Sequence, residues 1–170
     1  MTIEQSTQTI DHRQLGTTGP FVTSPGLGAM SMSGAYGPSS DDEGIAAIRT
    51  YRDAGGNRID TGDFYGAGHN EMLIGRALAE RDRDDVILSV KFGAVLSPDG
   101  AFIGFDSRPA AIRNSLAYSL RRLNTDHVDI YRPARLDPNV PIEETIGAIA
   151  ELVEAGYVRS IGLSEVGAET

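Results

Sequence analysis

Five short segments divide the sequence: PGLGAMSMS, NRID, DVILSVK, HVDIY and SIGLS. The first four each lead through a loop into a stretch with helical spacing. Strand alternating with helix points to parallel strands, because a parallel neighbour is reached only by a crossover. DVILSVK, with its near-continuous apolar run, reads as a strand covered on both faces. Consecutive units without reversal leave two architectures open, a doubly wound sheet and a barrel.

The helices carry their own boundary signals. The first starts at a capping box from Ser40 to Glu43, turns Ile45 and Ile48 inward and stops at Gly55 and Gly56. The second runs from about Asn70 to Glu80 with Met72, Leu73, Ala77 and Leu78 on one side. Ser107 is the expected cap of the third, with Pro109 in its first turn and Ile112, Leu116, Leu120 and Leu123 as its buried stripe. The fourth spans about Ile142 to Ala155, with Ile142, Ile146, Ile149 and Val153 facing the core and Gly156 ending it. Before the first unit, HRQLG and FVTS flank the turn TTGP and predict a hairpin; AVLSPDGAFIGF reads as a glycine-bearing loop. Residues 1–10 form a polar tail and 11–170 one domain.

Charge and composition exclude several partners. Fifteen basic residues stand against 24 acidic ones, a formal charge of −9, which disfavours nucleic acid and anionic membrane surfaces. With no cysteine, and with His12, His69 and His127 far apart, no metal site is expected; His69 reads as a cap or loop residue. The first residues lack a basic start followed by an apolar stretch, and no apolar run approaches the roughly 20 residues that span a bilayer. The expected location is the cytoplasm.

In a parallel sheet of this kind chemistry gathers where strands give way to loops at their C-terminal ends. Those positions are Asp60, Lys91, the Arg132–Arg135 segment and Ser164, with Tyr65 just past Asp60. A lysine closing an apolar strand calls for a carboxylate partner, and Asp60 is placed to supply it. An ammonium beside a tyrosine favours phenolate, so the hydroxyl becomes a proton donor for a carbonyl oxygen near neutral pH. The same residues also read as a plain structural set: a turn-bracing Asp60, a rim tyrosine and an ion-paired lysine.

GLGAMSMS, IDTGDFYGAGHNEMLIGRAL, ILSVKFG, SLRRLNTDHVDIY and LDPNVPIEETIGAIAELVEAGYVRSIGLSE, in that order, resemble the aldo-keto reductases. The resemblance implies a TIM (β/α)8-type barrel above an N-terminal hairpin, with NADPH as cofactor and a small-molecule aldehyde or ketone as substrate. It implies Asp60, Tyr65 and Lys91 as the catalytic set. It places Ala29, Met30, Asp60, Ser164 and Glu165 at the cofactor, although Glu165 stands where the family often has asparagine. The family's loop after the fourth strand commonly carries a substrate-orienting histidine in a run of the type QHRxDP. Here the run is PARLDP and the position is Ala134, whose methyl group donates no hydrogen bond. Arg132 and Arg135 are the candidates to replace it beside the substrate, together with Tyr65.

Five strands and four helices make only the N-terminal portion of an eight-unit barrel. The expected reading is therefore a reductase truncated after its fifth strand. The family's nicotinamide-stacking and 2′-phosphate pockets are carried by later strands and loops. Two alternatives stay open: a catalytically impaired half-barrel that binds a cofactor or partner, and a half-barrel that self-associates through its open sheet edges.

Overall fold

The computed structural model describes residues 10–79 and 83–170. All of the polar tail but its last residue lies outside them, as does the Glu80 end expected for the second helix. A hairpin opens the described chain, with β1 (Asp11–Gln14) antiparallel to β2 (Phe21–Ser24) and Asp11 opposite Ser24. Then follow β3 (Leu27–Gly28), α1 (Asp41–Asp53), β4 (Arg58–Gly62), α2 (His69–Leu78), β5 (Ile87–Phe92), β6 (Ala94–Leu96) and β7 (Phe102–Phe105). The rest is α3 (Pro109–Leu123), β8 (Val128–Pro133), α4 (Ile142–Glu154) and β9 (Val158–Ile161).

Strands β3, β4, β5, β8 and β9 form one parallel sheet in chain order. A doubly wound sheet reverses its strand order at a switch point, whereas barrel strands pair in sequence. The order therefore selects the barrel pattern, here a partial α/β fold with β3 and β9 each paired on one side. No described helix is long and apolar enough to cross a membrane.

The two faces of the sheet differ. Ile59, Leu88, Val90, Phe92 and Tyr131 point outward and are buried with Leu73 and Ile74 of α2, Ile112 and Leu116 of α3 and Ile149 of α4. Phe92 stacks on Tyr131 with ring centroids 4.3 Å apart. The registers Asp60↔Ser89, Ser89↔Ile130, Lys91↔Arg132 and Ile130↔Ser160 then place Arg58, Asp60, Ser89, Lys91, Ile130, Arg132 and Ser160 on the inner face. Four of these seven are charged, so the concave side is where polar chemistry collects.

Local signals explain most helix ends. Ser40 and Glu43 make both bonds of the capping box at the start of α1, and Gly55 at φ +90° follows its end. Pro109 opens α3, but the cap is Arg108 with no side-chain bond. Ser107 is instead buried, its N–H donating to Asp137 Oδ2 at 3.0 Å and its carbonyl accepting from Thr145 Oγ1 at 3.2 Å. Tertiary pairing to α4 and its leading loop takes the Ser107 backbone, and its hydroxyl is left with no partner among the described residues.

Two buried stripes are rotated from expectation. Met72 is 48% exposed, because α2 packs on α1, α3 and β4 at once and buries Asn70, Glu71, Leu73, Ile74, Gly75 and Ala77. In α4 the buried positions are Thr145, Ala148, Ile149 and Leu152, with Ile142, Ile146 and Val153 half-buried beside them. Satisfying Thr145 at Ser107 turns that helix. The stretch AVLSPDGAFIGF is a hairpin rather than a loop: β6 pairs with β7, Gly100 donates to the Ser97 carbonyl at 2.8 Å, and Gly100 takes φ +84°.

Candidate active site

Strand β4, which runs on to Gly62, presents Asp60 from its middle, β5 presents Lys91 and β8 presents Arg132, all on the inner face. Lys91 Nζ donates to Asp60 Oδ1 and Arg132 Nη2 donates to Asp60 Oδ2. One carboxylate thus carries two cations, one on each oxygen. Lys91, Arg132 and Asp60 are 15%, 22% and 29% exposed, so the cluster is partly dehydrated and its attractions are stronger than at an open surface.

Tyr65 reaches this cluster from the short turn Tyr65–Gly68 that follows β4. The Asp63 N–H donates to the Lys91 carbonyl at 2.9 Å and ties the turn to β5. Gly66, Ala67 and Gly68 take φ of +56°, +52° and +94°, which lets the chain reverse sharply into α2; only Ala67 bears the strain of a side chain there. The tyrosine ring is buried, sits edge-on to Phe64 at 4.9 Å and lies 5.3 Å from Lys91 Nζ. Asp60, Tyr65 and Lys91, singled out separately along the sequence, are neighbours in space.

The other predicted positions fare differently. Ala29 is fully buried, its N–H donating to the Asp60 carbonyl at 2.9 Å and its own carbonyl accepting from Asn70 Nδ2 at 2.7 Å, whereas Met30 is 37% exposed. In the loop after β9, Ser164 is half-buried and has no hydrogen-bond partner among the described residues. Glu165, at φ +51°, reaches Arg135 Nη2 at 2.9 Å. Arg135 also donates to the Ala134 carbonyl at 2.7 Å, so it braces two loops and is turned away from Asp60. Ala134 is buried, and its N–H extends the ladder to the Phe92 carbonyl at 2.8 Å.

Gly28 lies beside Asp60 in the register, and a Cβ there would meet nothing within 4 Å. That open space, Met30 and the free Ser164 hydroxyl are what could hold a flat cofactor over Asp60. Among the described residues no group of three or more His, Cys, Asp and Glu side chains is gathered to hold a metal. His69, the first residue of α2, meets Asp41 through Nε2 at 2.8 Å and Ser33 through Nδ1 at 3.0 Å.

Sequence reasoning passed over the layer behind the site. Buried Asn70 donates to the Ala29 carbonyl and to Ser33 Oγ at 2.8 Å and accepts from Thr61 Oγ1 at 2.6 Å, joining the first loop to β4. Glu71, beside it, is fully buried and pairs with Arg122 of α3. Asp63, half-buried near them, accepts from Ser115 while its buried Oδ1 has no partner. Burial, and next the Glu71 charge, push the Asp63 carboxyl up to about 7. Burial likewise raises Glu71 and carries Tyr131 well above the usual phenol value. Polar residues inside the apolar stretch HNEMLIGRAL were the available signal.

Comparison with known proteins agrees with this geometry. The model of the aldo/keto reductase family matches residues 26–170. "Probable aldo-keto reductase 1" of Glycine max is 38% identical over 158 residues, 92% of this chain and 45% of that protein. "Aldo-keto reductase yakc [NADP(+)]" of Schizosaccharomyces pombe is 37% identical over 88% of this chain and 44% of its own length. The holo form of the aldo-keto reductase AKR11C1 from Bacillus halodurans superposes with a TM-score of 0.81 at 34% identity, covering 91% of this chain and 50% of that one. The chain spans about half the length of the relatives it matches. It belongs to the aldo/keto reductase family.

Proposed function

We propose that this chain carries the proton-donating half of an NADPH-dependent oxidoreductase that reduces aldehydes or ketones to alcohols. The observation that supports this reading most is the convergence of Asp60 and Lys91, on the inner face of β4 and β5, with Tyr65 from the turn after β4. NADPH is favoured because the fission-yeast relative's name specifies NADP(+). When bound, the cofactor supplies hydride to the carbonyl carbon.

The chain's own residues do the rest. Tyr65 donates its hydroxyl proton to the carbonyl oxygen as charge builds there. Lys91, held by Asp60 and facing the tyrosine ring, stabilises the phenolate left behind. Met30, Ser164 and the open space at Gly28 would hold the nicotinamide. Burial of the Tyr65 ring keeps water from competing for the proton. The expected truncation belongs to this same reading, in which the remaining cofactor contacts come from chain beyond strand β9.

A catalytically impaired binding module is the second reading, and Ala134 favours it, since no imidazole stands at that strand end. Carbonyl-dependent oxidation of NADPH by the wild type and by Tyr65→Phe separates the two. A reductase loses turnover in the variant, whereas a binding module shows none in either.

A further inference from the structure

The inner face departs from the chain as a whole. The sequence carries a formal charge of −9, yet the charged strand residues of the concave side are three cations, Arg58, Lys91 and Arg132, against the single carboxylate of Asp60. Asp60 is already shared between Lys91 and Arg132, so the pair of bonds that neutralises one cation leaves the other in surplus. Arg58 lies flat against Gly26, where a Cβ would come within 2.3 Å of its Nε, and makes no ion pair among the described residues.

Arg132 shares Asp60 with Lys91, whose Nζ lies 5.3 Å from the Tyr65 ring. Only its Nη2 is engaged; Nε is buried with no partner, and no second acceptor meets the guanidinium among the described residues. A guanidinium presents a planar fork that matches the two oxygens of a carboxylate. Positive charge focused in a concave site draws in anions. Two residues on stands Ala134, whose methyl group offers no donor or acceptor of its own.

We infer that Arg132 is a substrate-binding residue and that the site takes carbonyl compounds bearing a carboxylate next to the carbonyl, the 2-oxo acids. Arg132 receives the carboxylate, and the adjacent carbonyl is thereby turned toward Tyr65. This rests on the carbonyl-reducing reading above and adds the substrate class and the residue that selects it.

Binding is read without cofactor, by nuclear magnetic resonance titration of the purified chain with pyruvate, acetate, acetone and inorganic phosphate. Pyruvate is expected to bind at least about 10-fold more tightly than acetone, with acetate between them, and Arg132→Gln to weaken pyruvate by about 10-fold. Arg132→Lys, which keeps the charge and loses the fork, recovers part of that loss. Equal affinity for pyruvate and acetone overturns the inference, as does an Arg132→Gln variant that is folded by circular dichroism and binds pyruvate normally. Phosphate binding more tightly than pyruvate also overturns it, assigning the charge to a phosphate-bearing ligand. Because no NADPH is present, failure here leaves the Tyr65 turnover comparison untouched, and failure there leaves this titration standing.

Discussion

Arg132 Nη2 donates to Asp60 Oδ2 across 72 residues of sequence, from near the end of β8 to the middle of β4. With Lys91 on the other oxygen, this bond makes Asp60 the hub that fixes the relative position of three strands. Removing the hub exposes two cations to one another. Asp60→Ala is expected to lower stability by about 2 kcal/mol, below the loss typical of a fully buried pair because these side chains keep some contact with water. The denaturant midpoint measures it, and restoring most of the loss with Asp60→Ala plus Arg132→Met assigns it to charge.

Tyr65→Phe removes a hydroxyl while leaving the ring that packs on Phe64. The expected result is a loss of about 10² to 10⁴ in turnover of the active enzyme with Tm nearly unchanged. Steady-state rates read beside a thermal melt separate this from a folding defect.

Asn70 gathers three partners around its amide: the Ala29 carbonyl, Ser33 Oγ and Thr61 Oγ1. Asn70→Ala leaves the buried Thr61 hydroxyl without its acceptor and the Ala29 carbonyl with the Met32 N–H alone, and is expected to cost about 1 to 3 kcal/mol. Urea unfolding checks the size, and Asn70→Asp should not rescue it, since a carboxylate cannot donate to the Ala29 carbonyl.

Asp63 sets a pH dependence with a definite sign. Its carboxyl is pushed from 3.8 up to about 7 by burial and by Glu71, so the folded state holds its proton more tightly than the unfolded one. The stabilisation from that proton is complete below about pH 4 and is lost as pH rises through about 7. Asp63→Asn, which cannot ionise, should flatten that slope and raise Tm at pH 8 by about 3 °C or more. Melting temperatures across pH 5 to 8 for both proteins, about one unit apart, provide the check.

The barrel pattern and the gathering of Asp60, Lys91 and Tyr65 in one place were legible because each rests on local signals. Apolar runs mark β5 and β8, the Ser40–Glu43 box marks α1, and Asp60 and Lys91 fall on the same face of adjacent strands, which makes them neighbours. What was not legible depends on which faces of an element are covered. Met72 looked buried because only one side of α2 was counted, and Ser107 looked like a cap because its bond to Asp137 spans 30 residues. Between two arginines three positions apart, the sequence offered no choice; Glu165 claimed Arg135 and Asp60 claimed Arg132. The hairpin of β6 and β7 was announced by SPDG, whose turn chemistry was read as loop.

The central claim is that these residues form the cofactor-facing half of a reductase site. Calorimetric titration of NADPH into the folded 170-residue chain tests it most directly. The account predicts saturable heat of binding that weakens when Ser164 is replaced by alanine. A folded sample that gives no heat with NADPH would contradict it.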